Sequence, residues 1–149
     1  MIELILGGER SGKSALAEPR PAESGLAVIC IATALVDHAA PDRCLLVECL
    51  SLWLANLLHA GAAAKLAEAG EEVNCPLLAF ETSALLDCLP QLPGRVILVS
   101  NEVGLGIAPP GAATRLYVDD AGRLNWSVAR IAQRVTSVAA GLPLELKGG

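Results

Sequence analysis

The residues with the clearest chemistry lie near the start of the chain: Gly7-Gly8-Glu9-Arg10-Ser11-Gly12-Lys13-Ser14, directly after the apolar run Ile2 to Leu6. Their spacing fits G-x-x-x-x-G-K-[ST]. The glycines of such a loop let the backbone curl until successive N–H groups point inward at phosphate oxygens. Lys13 then reaches the β- and γ-phosphates, and the Ser14 hydroxyl takes a place on Mg²⁺. A helix beginning near Ser14 adds the positive end of its dipole to the same anion site. A glycine-rich turn can match this pattern by accident, but strand, loop and helix in that order is the context the chemistry requires. The implied ligand is a nucleoside triphosphate, ATP or GTP.

A second candidate is Glu48, which ends the apolar run Cys44-Leu45-Leu46-Val47. A carboxylate at the C-terminal end of a buried strand can orient Mg²⁺ or its water beside bound phosphates. An acid after four apolar residues is also common as a simple strand end that caps the next element. Beside the phosphate loop, the metal reading is the one adopted, with Ser14 and Glu48 as the expected metal residues. A third strand, Arg95 to Ser100, opens into Asn101-Glu102-Val103-Gly104-Leu105-Gly106-Ile107-Ala108-Pro109. Polar groups and a Gly-x-Gly loop at a strand's C-terminal end lie where open α/β sheets place ligands, and Glu102 is a candidate second acid.

The elements that must position these residues can be read from the hydrophobic pattern. With 149 residues the chain fits one domain, taken as 1–149. It is 53% hydrophobic and 18% charged, which suits a sheet buried on both faces. A net charge of −5, no Lys/Arg cluster and few aromatics argue against a nucleic-acid surface. The apolar stretches are too short or interrupted for a membrane span, and the start carries no basic leader, so cytoplasm is the expected compartment. The five cysteines form no C-x-x-C pair and read as buried thiols.

Ile2–Leu6 reads as the first strand, followed by a short helix cut by Pro19 and Pro21. Ala27 to Ala32 reads as a second, buried parallel strand ending at Thr33. Only ten residues, Ala34 to Arg43, then lead to Cys44, fewer than a crossover between parallel strands normally needs. Leu50, Trp53, Leu54, Leu57 and Leu58 mark an amphipathic helix, and Ala62 to Glu72 a surface stretch. Leu77 to Leu89 reads as a helix closed by Pro90. Tyr117, Ala121, Leu124, Val128, Ile131 and Val135 mark a long helix. Val135 to Ala140 and Leu142 to Lys147 read as two short strands around Gly141. The fold class expected is α/β, a mostly parallel sheet flanked by helices, with a shortened connection between the second and third strands.

Several stretches together resemble one family. They are the loop Gly7 to Ser14, Ile31-Ala32-Thr33, LLVECLSLWLANLL from Leu45 to Leu58, SNEVGLGI from Ser100 to Ile107, Ala121-Gly122-Arg123-Leu124-Asn125, and Ala140 to Leu144. All are similar to the bifunctional adenosylcobinamide kinase / adenosylcobinamide-phosphate guanylyltransferase. The resemblance implies a RecA-like P-loop NTPase fold and a cytoplasmic enzyme of adenosylcobalamin assembly. Such an enzyme phosphorylates adenosylcobinamide from ATP or GTP and then transfers GMP to that phosphate. It also implies a homo-oligomer, a trimer, and nucleotide contacts from Gly7 to Ser14, from Ile31, Ala32 and Thr33, and from Glu48.

The sequence departs from the family pattern in several places. The family carries, after the Ile-Ala-Thr strand, a helical segment with a histidine that accepts GMP covalently. That segment is absent here, and His38 is the one histidine in the gap; His59 sits on a helix. Pro110-Gly111 replaces a usual Glu-Asn pair, Trp126 a usual Gln, and Pro19 and Pro21 fall where the first helix continues. The expectation is therefore a kinase whose guanylyl-transfer half is in question, with His38 as the candidate nucleophile. The rival reading is a decayed, nucleotide-binding relative without turnover.

Overall fold

A computed structural model of the chain describes residues 1–17 and 31–148. Its sheet is five-stranded in the order β2-β3-β1-β4-β5. The strands are β1 (Ile2–Gly7), β2 (Cys44–Val47), β3 (Arg95–Asn101), β4 (Arg134–Ala139) and β5 (Leu142–Lys147). The first four run parallel and β5 is antiparallel to β4. The helices are α1 (Lys13–Ala17), α2 (Ile31–His38), α3 (Leu50–Ala60), α4 (Ala63–Glu68), α5 (Pro76–Cys88) and α6 (Ala112–Ile131). A mostly parallel sheet flanked by helices is the α/β class expected of a P-loop fold.

Strand alternation sorts the core into two layers. Leu4, Val96, Leu98 and Val135 face Leu50, Trp53, Leu54 and Leu57 of α3, Leu85 of α5 and Leu124 and Val128 of α6. Ile5, Ile97, Val99 and Val138 point to the other face and pack with Ala17 of α1. One charged residue enters the second layer: Glu3, 3% exposed, is paired with Arg95 across the β1–β3 register.

The chain ends show how local chemistry closes the elements. Pro76 opens α5, where its missing N–H costs nothing. Glu68 of α4 accepts the Ala113 N–H at 3.0 Å and so caps the start of α6 with a negative charge. Lys147 of β5 donates to the Ala129 and Arg130 carbonyls at 3.0 and 3.1 Å, which places a cation at the other end of the same helix.

Four expectations change. The expected second strand lies mostly outside the described residues, but its end is helical: Ile31, Ala32 and Thr33 form the first turn of α2. Ala32 and Leu35, three apart, are buried, Leu35 within the α3–α5–α6 core layer, and a helix is what puts both on one side. The first half of the ten-residue bridge, Ala34 to His38, is therefore helix rather than loop. The Tyr117–Val135 periodicity overruns its element: α6 ends at Ile131, Ala132 is extended, and Val135 is a buried strand residue paired with Leu4. Ala62 to Glu72, expected as surface, contains α4 with Ala63 buried. The described cysteines are free thiols but not buried: Cys44, Cys75 and Cys88 are half-buried and Cys49 is exposed, while Cys30 lies outside the described residues.

Candidate functional site

The loop Gly7 to Ser14 leaves β1 between two neighbours, since Gly7 is in register with Asn101 of β3 and Val138 of β4. Its backbone takes positive φ at Arg10 (55°) and Gly12 (96°), turning sharply before α1. The Ser11 N–H donates to the Gly8 carbonyl at 3.3 Å, and Lys13 Nζ donates to the same oxygen at 3.0 Å. Gly8, Glu9 and Arg10 are exposed, Lys13 and Ser14 half-buried, and Ser11 buried. Gly7 has no room for a side chain: a Cβ there meets Ser11 Oγ and lies 2.7 Å from the Val138 carbonyl oxygen. From below, the β4–β5 turn holds the loop, because the Gly141 N–H donates to the Ser11 carbonyl at 2.7 Å.

Beside the loop stands the end of β3. The Glu102 N–H donates to the Gly7 carbonyl at 3.0 Å, so Glu102 flanks the loop strand directly. Its Oε1 accepts the Gly104 N–H at 2.9 Å and folds the Gly-x-Gly loop back over the strand end. Asn101 Nδ2 approaches Glu9 Oε2 at 3.5 Å. The Asn101 N–H donates to Ser51 Oγ at 3.4 Å, and its carbonyl accepts Asn125 Nδ2 at 3.2 Å. Ser51 also meets Cys49 Sγ at 3.5 Å and hydrogen-bonds with Tyr117. Burial pushes the Tyr117 hydroxyl above its ordinary value; the bond to Ser51 opposes that shift, and the nearby Cys49 and Glu9 add to it.

Sequence reasoning did not single out Ser51, Tyr117 or Gly141 as site residues. Asn101 and Asn125 stood in named stretches but carried no role. An asparagine four residues after Ala121, on the apolar side of the helical pattern, is the signal that could have pointed to Asn125.

The expected residues distribute unevenly. Glu48 is exposed and comes directly after β2, with β3 between it and the loop strand. Two strand spacings put it roughly 10 Å across the sheet from β1, a separation that water bridges more readily than direct ligation. The expected donors, a serine and a carboxylate oxygen, are of the kind that suits Mg²⁺, an ion that keeps much of its shell as water and phosphate. No group of three or more His, Cys, Asp or Glu that could cage a metal lies among the described residues. Thr33 is exposed on the first turn of α2. His38 ends that helix, and its carbonyl accepts Arg43 Nη1 at 3.2 Å, just before β2 begins. That is the N-terminal edge of the parallel sheet, opposite the edge that carries the loop. His59 is exposed near the end of α3.

The sequence is similar to those of known proteins. The family described as cobinamide kinase / cobinamide phosphate guanyltransferase matches residues 33–146. The chain belongs to this family. Bifunctional adenosylcobalamin biosynthesis protein CobP of Pseudomonas aeruginosa is 44% identical over 182 residues, covering 99% of this chain and 98% of that protein. Protein CobU of Salmonella typhimurium is 32% identical over 116 residues, 77% of this chain and 64% of its own length. CobU of Escherichia coli is 26% identical over 181 residues, 99% of this chain and all of that protein. The CobP comparison spans 182 positions against 149 residues here, so part of that relative has no counterpart in this member of the family.

Proposed function

We propose that the chain is an adenosylcobinamide kinase of cobalamin biosynthesis, with the guanylyl-transfer half of the bifunctional family activity in doubt. The observation that carries the kinase half is the loop: a turn with positive φ at Arg10 and Gly12, held by β3 on one side and the β4–β5 hairpin on the other. The doubt over the second half rests on the unmatched positions in the CobP comparison and on the place of His38, at the sheet edge away from the loop.

In this reading the loop N–H groups and Lys13 hold the triphosphate and stabilise charge on the transferring phosphoryl. Ser14 would hold Mg²⁺ directly and Glu48 through water; the ion, when bound, neutralises charge between the β- and γ-phosphates. Glu102, beside Gly7, would accept the proton of the attacking hydroxyl of adenosylcobinamide. Ile31, Ala32 and Thr33 would border the nucleotide. A trimeric assembly, testable by sedimentation, and a cytoplasmic location belong to the same reading. No helix among the described residues is long and apolar enough to cross a membrane.

The test incubates the purified protein with Mg²⁺ and adenosylcobinamide in two arms. With γ-labelled ATP or GTP, label should move to the corrinoid; tight nucleotide binding without transfer would instead establish the non-catalytic reading. With α-labelled GTP, the protein should stay unlabelled. An acid-labile, alkali-stable label would restore the guanylyl half and make His38 its first candidate.

A further inference from the structure

We propose that Asn125 is a positioning residue for phosphoryl transfer, acting through the Asn101 backbone; this rests on the kinase reading above. In a strand, the N–H and C=O of one residue point to one side and those of the next residue to the other. Glu102 donates to Gly7 on the β1 side, so the N–H and C=O of Asn101 point toward β2. There β2 has already ended, at Val47 opposite Leu98. The last β3 residue therefore lacks a strand partner, and two side chains from different helices replace it: Ser51 Oγ at the start of α3 accepts the N–H, and Asn125 Nδ2 of α6 donates to the carbonyl. The side chain of Asn101 in turn reaches Glu9 on the phosphate loop.

Packing alone does not account for the asparagine. Asn125 is 5% exposed in the interior of a 20-residue helix, among Ala121, Leu124 and Val128. Asparagine is a poor helix former, and burying its amide is unfavourable unless its groups are bonded. Its Oδ1 is buried without a hydrogen-bond partner among the described residues, so half the amide is unsatisfied. What the position retains is the donor, aimed at the carbonyl of the last β3 residue, directly before Glu102. The role is alignment of the acid and the loop rather than contact with substrate.

The test uses Asn125→Asp, which keeps the shape and exchanges the N–H donor for a carboxyl. Ionised, that carboxyl cannot donate to the Asn101 carbonyl; protonated, it can. Near neutral pH the variant should lose about tenfold or more in kcat, with the nucleotide KM within about twofold, as expected for misalignment by a fraction of an ångström. The deficit relative to wild type should narrow as pH falls and the carboxyl regains a proton. Glu9, Cys49, Glu102 and Tyr117, the titratable groups near this junction among the described residues, are present in both proteins. A wild-type kcat, or a deficit that stays constant with pH in a folded variant, overturns the proposal.

Should Asn125→Asp fail to fold, Ser51→Ala removes the other tether and should lower kcat in the same way; an unchanged kcat there overturns the proposal too. Amide exchange at Asn101 and Glu102 is read on the same proteins and does not depend on the reaction. If wild type phosphorylates nothing, the kinase reading fails by itself. The positioning claim then stands or falls on whether the variant exchanges these amides about tenfold faster.

Discussion

The N–H of Gly141 donates to the carbonyl oxygen of Ser11 at 2.7 Å, so the hairpin near the end of the chain supports the phosphate loop near its beginning. Ala139 pairs with Leu142, which leaves Ala140 and Gly141 as a two-residue turn. Both have positive φ, 51° and 77°, as a type I′ turn requires. Glycine adopts this conformation readily and alanine does not. Ala140→Asn should therefore stabilise the protein by about 0.5–1 kcal/mol, read as a higher urea midpoint at unchanged slope. A lower midpoint would show that Ala140 makes a contact the turn geometry does not reveal.

In the proposed mechanism Lys13 supplies the charge that the loop directs at phosphate. Its removal in Lys13→Ala should lower phosphoryl transfer by at least about a hundredfold while the far-ultraviolet circular dichroism is kept. The check is an initial rate at saturating nucleotide; an unchanged rate would take Lys13 out of the mechanism.

Gly7 sits where a methyl group meets Ser11 Oγ and the Val138 carbonyl. Neither neighbour is the free end of a long side chain, so Gly7→Ala must displace the loop or β4. The expected cost is about 1–3 kcal/mol, with weaker nucleotide binding. Calorimetric titration with a non-hydrolysable nucleotide measures the second effect.

Tyr117 has a folded pKa raised above its ordinary 10.0, chiefly by burial. Between that value and the raised one, the unfolded chain has released a proton the folded chain still holds. Stability therefore falls as pH rises through this window. Tyr117→Phe removes that contribution and should flatten the alkaline decline, seen as a smaller loss of unfolding free energy as pH rises above 10.0. At lower pH the variant lacks the bond to Ser51 and should be less stable by about 1 kcal/mol.

Arg95 is about a third exposed, whereas its partner Glu3 is buried in β1. Arg95→Ala leaves the carboxylate without this cation and should cost about 2 kcal/mol, below the full value for a buried pair because solvent reaches the arginine. Chemical denaturation of the variant checks the magnitude.

Much of the fold was legible because its signals are local. Ile2 to Leu6 leading into the glycine loop, the i, i+3, i+4 pattern from Leu50 to Leu58, and the apolar run from Arg95 to Ser100 each encode one element in adjacent residues. The same signal misled where it crossed a boundary. Val135 keeps the period of α6, yet it is a strand residue because β1 offers Leu4 as a neighbour. Apolar Ile31-Ala32-Thr33 suited a strand on pattern alone. The outcome was decided by whether Ala32 and Leu35 could share one buried side.

The sequence by itself determined the phosphate loop, the parallel α/β class and the family, since each rests on residue types at short, fixed spacings. Only the tertiary structure decided that β3 lies between the loop strand and Glu48, and that Glu102 flanks Gly7. It also decided that His38 ends at the opposite edge, and that Ser51, Asn101, Tyr117 and Asn125 meet at one strand end. Strand order and such meetings depend on contacts between residues far apart in the chain, which pack cooperatively and leave no spacing to read.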